Sequence, residues 1–300
     1  MDTKDLFKYR SVTACLRAAY DLISDNFTSI LKKTWWAVLI YAIFLALTVY
    51  FRVPNKGLHD WGVSSPWASY ILQTFVYAAL WVTSFVASAS IWNWINKKGL
   101  KFCLVRFTLP AVACQAIGAF VLGVGMALAQ AFFEGYAAKA IPAKESLTTA
   151  YAITGGISIV LIILVLVVTL PFAYIIPRCM LTEKKSDIAP WKSYKCGLRH
   201  LGGAVKLGIL GSIILGVICA VIMLPTFILV WAQITSQLGA LNGDALGTPG
   251  YFTLLFLVVL TITLAVATYL EAWLGIAYAY LYGSTATLEE HRKNININKE

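Results

Sequence analysis

The sequence predicts an all-α integral membrane protein with about six transmembrane helices. Only 13% of its 300 residues are charged and 59% are hydrophobic, whereas a soluble domain has roughly 25% charged and 45–50% apolar residues. So little charge cannot cover a 300-residue globule with polar side chains. A lipid environment explains this composition, because a surface that faces lipid does not need polar side chains. Apolar runs occupy most of the chain, so we expect a single polytopic membrane domain over 1–300 and no sizeable soluble module.

Apolar runs of about 18 or more residues are long enough to cross the hydrocarbon core as helices. Six such runs lie near 34–52, 68–92, 108–133, 150–176, 204–232 and 251–274. The first begins after a cytoplasmic segment, 1–33, and is longer than the apolar stretch of a signal peptide, which is about 7–15 residues. We therefore expect it to be retained as the first spanning helix. Residues 283–300 are predicted to form a polar cytoplasmic tail.

The positions of Lys and Arg predict the orientation of these helices. Twenty of the 24 basic residues lie on one predicted side of the membrane. This side comprises the N-terminal segment, the loop after the second helix, the loop after the fourth helix with the start of the fifth, and the tail. The loops on the other side hold the remaining four. Because basic loops are retained on the cytoplasmic side, both termini are predicted to be cytoplasmic, in a bacterial inner membrane. This positive-inside bias and anionic head groups explain the net charge of +10 better than a nucleic-acid partner does.

Aromatic residues and cysteines agree with this topology. Trp35 and Trp36 fall at a predicted inner end and Trp231 at a predicted outer end, where indole rings settle at the head-group level. None of the six cysteines lies in a predicted outer loop, and no CxxC spacing occurs. The cysteine pattern therefore predicts neither a disulfide framework nor a metal site.

Amphipathic stretches precede the helices that run outward. Residues 12–30 place apolar side chains in steps of three and four on one helical face. Before the fifth helix, Trp191 lies on an apolar face and Lys192, Lys195 and Arg199 lie on a basic one, which makes these four residues candidates for contact with the lipid surface. Two interpretations stay open: the stretches lie in the membrane plane against anionic head groups, or they cover the inner ends of the bundle.

This arrangement suggests three units, each an interfacial segment followed by a helical hairpin, over 1–92, 93–177 and 178–282. The units share a pattern rather than residue identity. The pattern therefore indicates either a true repeat or simply the alternation that positive-inside topology imposes.

Helix association in lipid depends on close packing, so small residues spaced four apart predict contact faces. The fifth and third helices carry such ridges: Gly208, Ser212, Gly216, and Ala119, Gly123, Ala127. Pro171 and Pro225 are expected to kink or open the fourth and fifth helices. Such breaks occur at transporter sites and also in ordinary membrane helices, and we favour the structural interpretation.

Polar groups within the spans are few. Glu271 is the only acid in a predicted span, and Gln115 and Gln130 are the other notable polar candidates. An ionisable group in a span is a functional candidate because it is costly in lipid, although an interfacial role suits Glu271 better. Phosphate-loop and nucleophile-elbow motifs are missing, so we predict no catalytic residues, no cofactor and no metal.

The order of elements resembles a loose group of bacterial six-helix inner-membrane proteins, which includes the membrane domain attached to some glycerophosphodiester phosphodiesterases. The resemblance rests on the amphipathic N-terminus that ends in Asn26-Phe27 and on the stretch Arg178–Gly203. It implies a non-catalytic membrane domain and carries over no site residue.

These observations favour a non-enzymatic inner-membrane protein with a role in the envelope, in lipid-related support, or as a membrane partner of other proteins. The alternative is a small transporter or channel that uses the kinked fourth and fifth helices. A membrane enzyme is the third hypothesis, and it would need a convergent cluster of titratable groups.

Overall fold

A computed structural model describes residues 6–51, 66–137, 144–181, 190–241 and 249–297. Within these ranges the secondary structure is α-helical, with no strand. The helices are α1 (Val12–Asp25), α2 (Phe27–Tyr50), α3 (Pro66–Asn96), α4 (Leu100–Ala137), α5 (Lys144–Thr169), α6 (Phe172–Leu181), α7 (Pro190–Arg199), α8 (Leu201–Ile222), α9 (Leu224–Leu241) and α10 (Phe252–Ile297).

Six of the described helical stretches are long and apolar enough to cross a membrane. They lie within α2, α3, α4, α5 with α6, α8, and α10. The predicted spans match them in number and order, and the boundaries differ by several residues at most ends. The third stretch begins at Leu100 rather than near 108, and the fifth ends at Ile222 rather than near 232, because α8 stops before Met223. The first span begins at Phe27, earlier than predicted, because α2 starts directly after Asn26. The residues predicted as a polar tail from 283 continue α10 as far as Ile297.

The helix interruptions that fall inside the predicted fourth and fifth spans lie beside the prolines that the sequence singled out. Helix α5 ends at Thr169, and α6 begins after a turn at Leu170 and Pro171. Helix α8 gives way to α9 at Met223, two residues before Pro225. Proline has no backbone N–H to donate to the preceding turn, so the hydrogen-bond ladder is lost locally at each site.

The chain divides into two compact units, 1–104 with 206–300, and 105–205. Both contain apolar helices of spanning length. A single polytopic domain without a separate soluble module therefore stays a prediction.

In the first unit, α2 packs against both α3 and α10. Small side chains of α2, Ala42 and Ala46 among them, are almost fully buried and allow the helices to approach closely. Two polar pairs join α10 to its neighbours. The hydroxyls of Thr34 on α2 and Tyr269 are 3.1 Å apart, and those of Thr226 on α9 and Thr263 are 2.9 Å apart. Hydrogen bonds of this kind contribute about 0.6 kcal/mol each between membrane helices.

The N-terminal segment, residues 6–11, lies along the last third of α10. The Leu6 side chain is 1% exposed. The Arg10 N–H donates to Ser284 Oγ at 2.9 Å, and that hydroxyl donates back to the Arg10 carbonyl at 3.0 Å. The Arg10 guanidinium also lies 4.9 Å from the centre of the Tyr280 ring. These contacts bring the two ends of the chain together within this unit.

The apolar face of α1 is buried against α10. Leu16 and Ala19 on this face are buried, and the indole N–H of Trp273 donates to the Leu16 carbonyl at 3.2 Å. This packing is what a cover on the helical bundle requires, and contact of the same stretch with anionic head groups, which the cover does not exclude, stays a prediction.

The structure places one member of the predicted α8 ridge, Gly208, at a helix contact. In α8 the close approach to α10 occurs at Gly208, where an added Cβ would lie 2.7 Å from the Tyr278 hydroxyl, and at Gly211, where it would collide with Leu274. Two members of the predicted ridge, Ser212 and Gly216, are exposed, and a Cβ at Gly216 would meet nothing.

In α4 of the second unit, Gly118 and Gly125 are buried against Thr169 and Leu161 of α5. The residues of the predicted ridge are exposed: Ala119, Gly123 and Ala127. Four-residue spacing of small side chains identifies a smooth helix face, but a lipid-facing surface accepts the same residues, so spacing alone does not identify the contact face.

Replacing Gly283 with Ala is expected to destabilise the fold by about 1–3 kcal/mol, as overpacking does. The reason is that a methyl group there would collide with the Leu6 carbonyl, which belongs to backbone rather than to a flexible side chain. The thermal unfolding midpoint in detergent measures the effect. Gly216→Ala is the matched control, since it also gains helix propensity but faces open space. Equal midpoints for the two variants would contradict the assigned contact.

Candidate functional site

Five exposed lysines lie near one end of the packed helices α2 and α3 in the first unit, and we call them the inner basic patch after the side on which the sequence predicts them: Lys32, Lys33, Lys97, Lys98 and Lys101. The indole N–H of Trp94, near the end of α3, donates to Ser29 Oγ, near the start of α2, at 3.2 Å. This contact joins the two helix ends beside which the lysines lie.

The turn between α3 and α4 presents Lys97 and Lys98 outward. Lys97 has φ 56° and Gly99 has φ 97°, so the helical backbone of α3 is interrupted before α4 begins at Leu100. The Asn93 side chain fixes the turn, since its oxygen accepts from the Gly99 N–H at 2.9 Å. Glycine carries the larger positive φ without steric cost.

The local sequence adds no negative charge around this patch. No Asp or Glu occurs between Asp25 and Asp60, or between Asp60 and Glu134. Both chain segments that form the patch therefore carry only positive charge. Such a surface attracts anionic groups, and the attraction falls off within about a Debye length, roughly 8 Å at physiological ionic strength.

Exposed aromatic residues adjoin the lysines on α2. Trp35 is 54% exposed and follows Lys33 by two residues, and Trp36 and Phe27 are also exposed. Indole rings beside lysines are typical of the region where an apolar span meets lipid head groups. The grouping of these residues could not be predicted from the sequence, because the contact between α2 and α3 joins residues that are 65 positions apart.

The predicted lipid-surface residues before the fifth span lie on α7. Lys195 and Arg199 are exposed. The side chains of Trp191 and Lys192 lie outside the described part of the chain. Their separate apolar and basic faces therefore stay a prediction.

Glu271 lies on α10 and is exposed, although it follows the stripe of buried residues Phe256, Leu260 and Ala267 at helical spacing. The packing thus opens at this residue. Gln115 and Gln130 are exposed on α4 and belong to the other unit.

Cys15 is completely buried on α1. Burial raises the pKa of its thiol to about 11, although the positive charge of Arg10 lowers that pKa by a smaller amount. Because the thiolate is the nucleophilic form, a thiol with this pKa is unreactive near neutral pH. Cys15 is thus a packing residue rather than a candidate nucleophile.

The raised pKa of Cys15 predicts a pH dependence of stability. Between the ordinary pKa of 9.0 and about 11, the folded chain keeps a proton that the unfolded chain has released. The stabilisation is therefore complete below pH 9 and is lost as the pH rises toward 11. Thermal unfolding between pH 7 and 11 should show a smaller decline for Cys15→Ala than for the unchanged chain. Identical pH profiles would contradict the assignment.

Comparison with protein-family models, with curated proteins and with solved structures finds no match for this chain.

Proposed function

We propose that this chain is a non-enzymatic bacterial inner-membrane protein that acts in lipid-related or envelope support through a basic cytoplasmic face. The observation that supports the proposal most is the inner basic patch with its adjoining tryptophans at the start of a span. Lysines at this depth gain about 1 kcal/mol each from an anionic leaflet. A role as the membrane partner of another protein would use the same face.

In the proposed topology both ends of the chain are cytoplasmic. The contact of residues 6–11 with α10 supports placing the two ends on one side. The excess of Lys and Arg in the matching loops supports making that side the inner one. A threefold repeat of hairpin units and kinship with the six-helix inner-membrane group remain further proposals.

Lipid selectivity tests the role of the basic patch. The full-length protein, purified in detergent with mixed phosphatidylglycerol and phosphatidylethanolamine, should retain the anionic lipid preferentially in native mass spectrometry. Replacing all five lysines with Gln should abolish the preference, and Lys33→Gln alone should weaken it about fivefold.

The matched control replaces the same five lysines with Arg, which keeps the charge and should keep the preference. A protein without preference for the anionic lipid, or a Gln variant that keeps it, would contradict the proposal. Thermal unfolding midpoints of all variants separate loss of lipid binding from loss of fold.

A small transporter or channel is the second candidate function. It is favoured by the helix interruptions beside Pro171 and Pro225 and by the exposed Glu271 in a spanning helix. Unwound turns in spans and acidic side chains between helices are features of transport sites.

Reconstituted vesicles separate this candidate from the first. If the chain transports cations, vesicles containing it should show cation flux above empty vesicles, and Glu271→Gln should remove most of that flux while Glu290→Gln leaves it unchanged. Flux that is equal in all three proteins, or no flux, would contradict a role for Glu271 in transport.

A further inference from the structure

The inner basic patch consists of two groups of lysines that belong to separate chain segments. Lys32 and Lys33 lie within the first two turns of α2, and Lys97 and Lys98 directly follow the last residue of α3. Lys101, in the first turn of α4, extends the second group. The patch therefore offers two separate positive centres rather than one continuous run of charge.

The contact between Trp94 and Ser29 lies between these two groups. The start of α2 meets the end of α3 there, so the two packed helices run in opposite directions. Lys33 lies four residues after Ser29, which is about 6 Å along α2. The second group lies beyond Trp94, on the other side of the contact. The two groups thus lie at different levels along the helix axes.

Lysine side chains can close this difference in level. In the proposed topology, a lysine within the first turns of a span lays its long aliphatic stem along apolar surface and extends its ammonium toward the head groups. The second group is held at the turn before α4, where the Lys98 ammonium lies 5.6 Å from the centre of the Phe102 ring. One positive centre extended from the span and one fixed at the turn therefore serve the same head-group layer.

The neighbours of the first group favour a lipid over a soluble anion. Phe27, Trp35 and Trp36 are exposed beside it, and α2 is one of the helices that are long and apolar enough to cross a membrane. A soluble anion gains nothing from these rings, whereas the glycerol and acyl regions of a lipid contact them.

We propose that the patch binds one lipid molecule with two phosphates, of the cardiolipin type, with one phosphate at each lysine group. The inference rests on the proposed function and adds the class of lipid to it. Charge-assisted hydrogen bonds from an ammonium to phosphate oxygens are stronger than hydrogen bonds between neutral groups. Basic pockets between membrane helices on the cytoplasmic side bind head groups of this class.

Two linked phosphates bind more tightly to paired lysine groups than two separate phosphates do. Once the first phosphate is bound, the second is held close to its own lysine group, so its binding is intramolecular and has a high effective concentration. Lipids with one phosphate must each be captured independently. The attraction of a uniform basic surface depends on charge and not on how the phosphates are linked. A preference for cardiolipin at equal lipid charge therefore distinguishes paired groups from a uniform surface.

Competition for a fluorescent cardiolipin tests the inference on the full-length protein in detergent micelles, with fluorescence anisotropy as the readout. At equal total charge and constant ionic strength, unlabelled cardiolipin should displace the probe at least tenfold more effectively than phosphatidylglycerol does. Excess inorganic phosphate should not displace it, because the aromatic neighbours favour a lipid. This measurement uses the unchanged protein and does not depend on how well a variant folds.

Both lysine groups should be required for this preference. The double variant Lys32→Gln with Lys33→Gln should reduce the preference for cardiolipin over phosphatidylglycerol to less than about twofold, and so should Lys97→Gln with Lys98→Gln. Each double variant leaves one group in place, so attraction to anionic lipid should weaken without disappearing.

The matched control is Arg17→Gln with Lys206→Gln. Both residues are exposed in the same unit and lie outside the patch. This variant removes as much charge as either lysine pair and should keep the preference for cardiolipin. A control that lost the preference to the same extent would assign it to net charge and overturn the pairing of the two groups.

Three further results would overturn the inference: equal displacement by the two lipids at equal charge, displacement by inorganic phosphate, or a lysine-pair variant that keeps the full preference. The proposed function survives such a failure if the unchanged protein still prefers phosphatidylglycerol to phosphatidylethanolamine. Loss of that preference as well would contradict the proposed function itself.

Discussion

Backbone hydrogen bonding in an apolar solvent is the constraint on which the rest of this structure depends. Each peptide group left unpaired in lipid costs several kcal/mol, so a chain with long apolar runs must fold them into helices. Where the helical hydrogen-bond ladder is interrupted, the backbone N–H and C=O groups must pair with other donors and acceptors. The turn at Leu170 and Pro171 does this with bonds from Ala173 to the Leu170 carbonyl and from Tyr174 to the Pro171 carbonyl.

Helices that satisfy their own backbones have no hydrophobic reason to associate in lipid. The described packing therefore uses close approach and a few polar bonds. Glycines allow this approach at Gly208 and Gly211 on α8 and at Gly283 on α10. At Gly283 the partner is the backbone of the N-terminal segment, whose hydrogen bonds to Ser284 join the two ends of the chain.

Sequence periodicity and apolar length were enough to predict the all-helical class, the number and order of the span-length helices, and the places where prolines interrupt them. These features depend on local chemistry. The contact faces could not be predicted in the same way, because Gly118 and Gly125 differ from Ala119 and Gly123 only in what lies opposite them. The inner basic patch likewise depends on a hydrogen bond between distant residues, Trp94 and Ser29. The length of α10 was underestimated because residues 283–297 are polar, and the buried Ser284 shows that their helix is supported by packing on the N-terminal segment.

The account as a whole depends on the orientation of the chain, since a basic face can meet an anionic inner leaflet only if that face is cytoplasmic. Epitope tags placed one at a time at each terminus, within 52–65 and within 182–189 would map it in right-side-out and inside-out vesicles by protease accessibility. We predict that the termini and the 182–189 tag are cleaved only in inside-out vesicles and that the 52–65 tag is cleaved only in right-side-out vesicles. Cleavage of the 52–65 tag in the same vesicles as the termini would contradict the account.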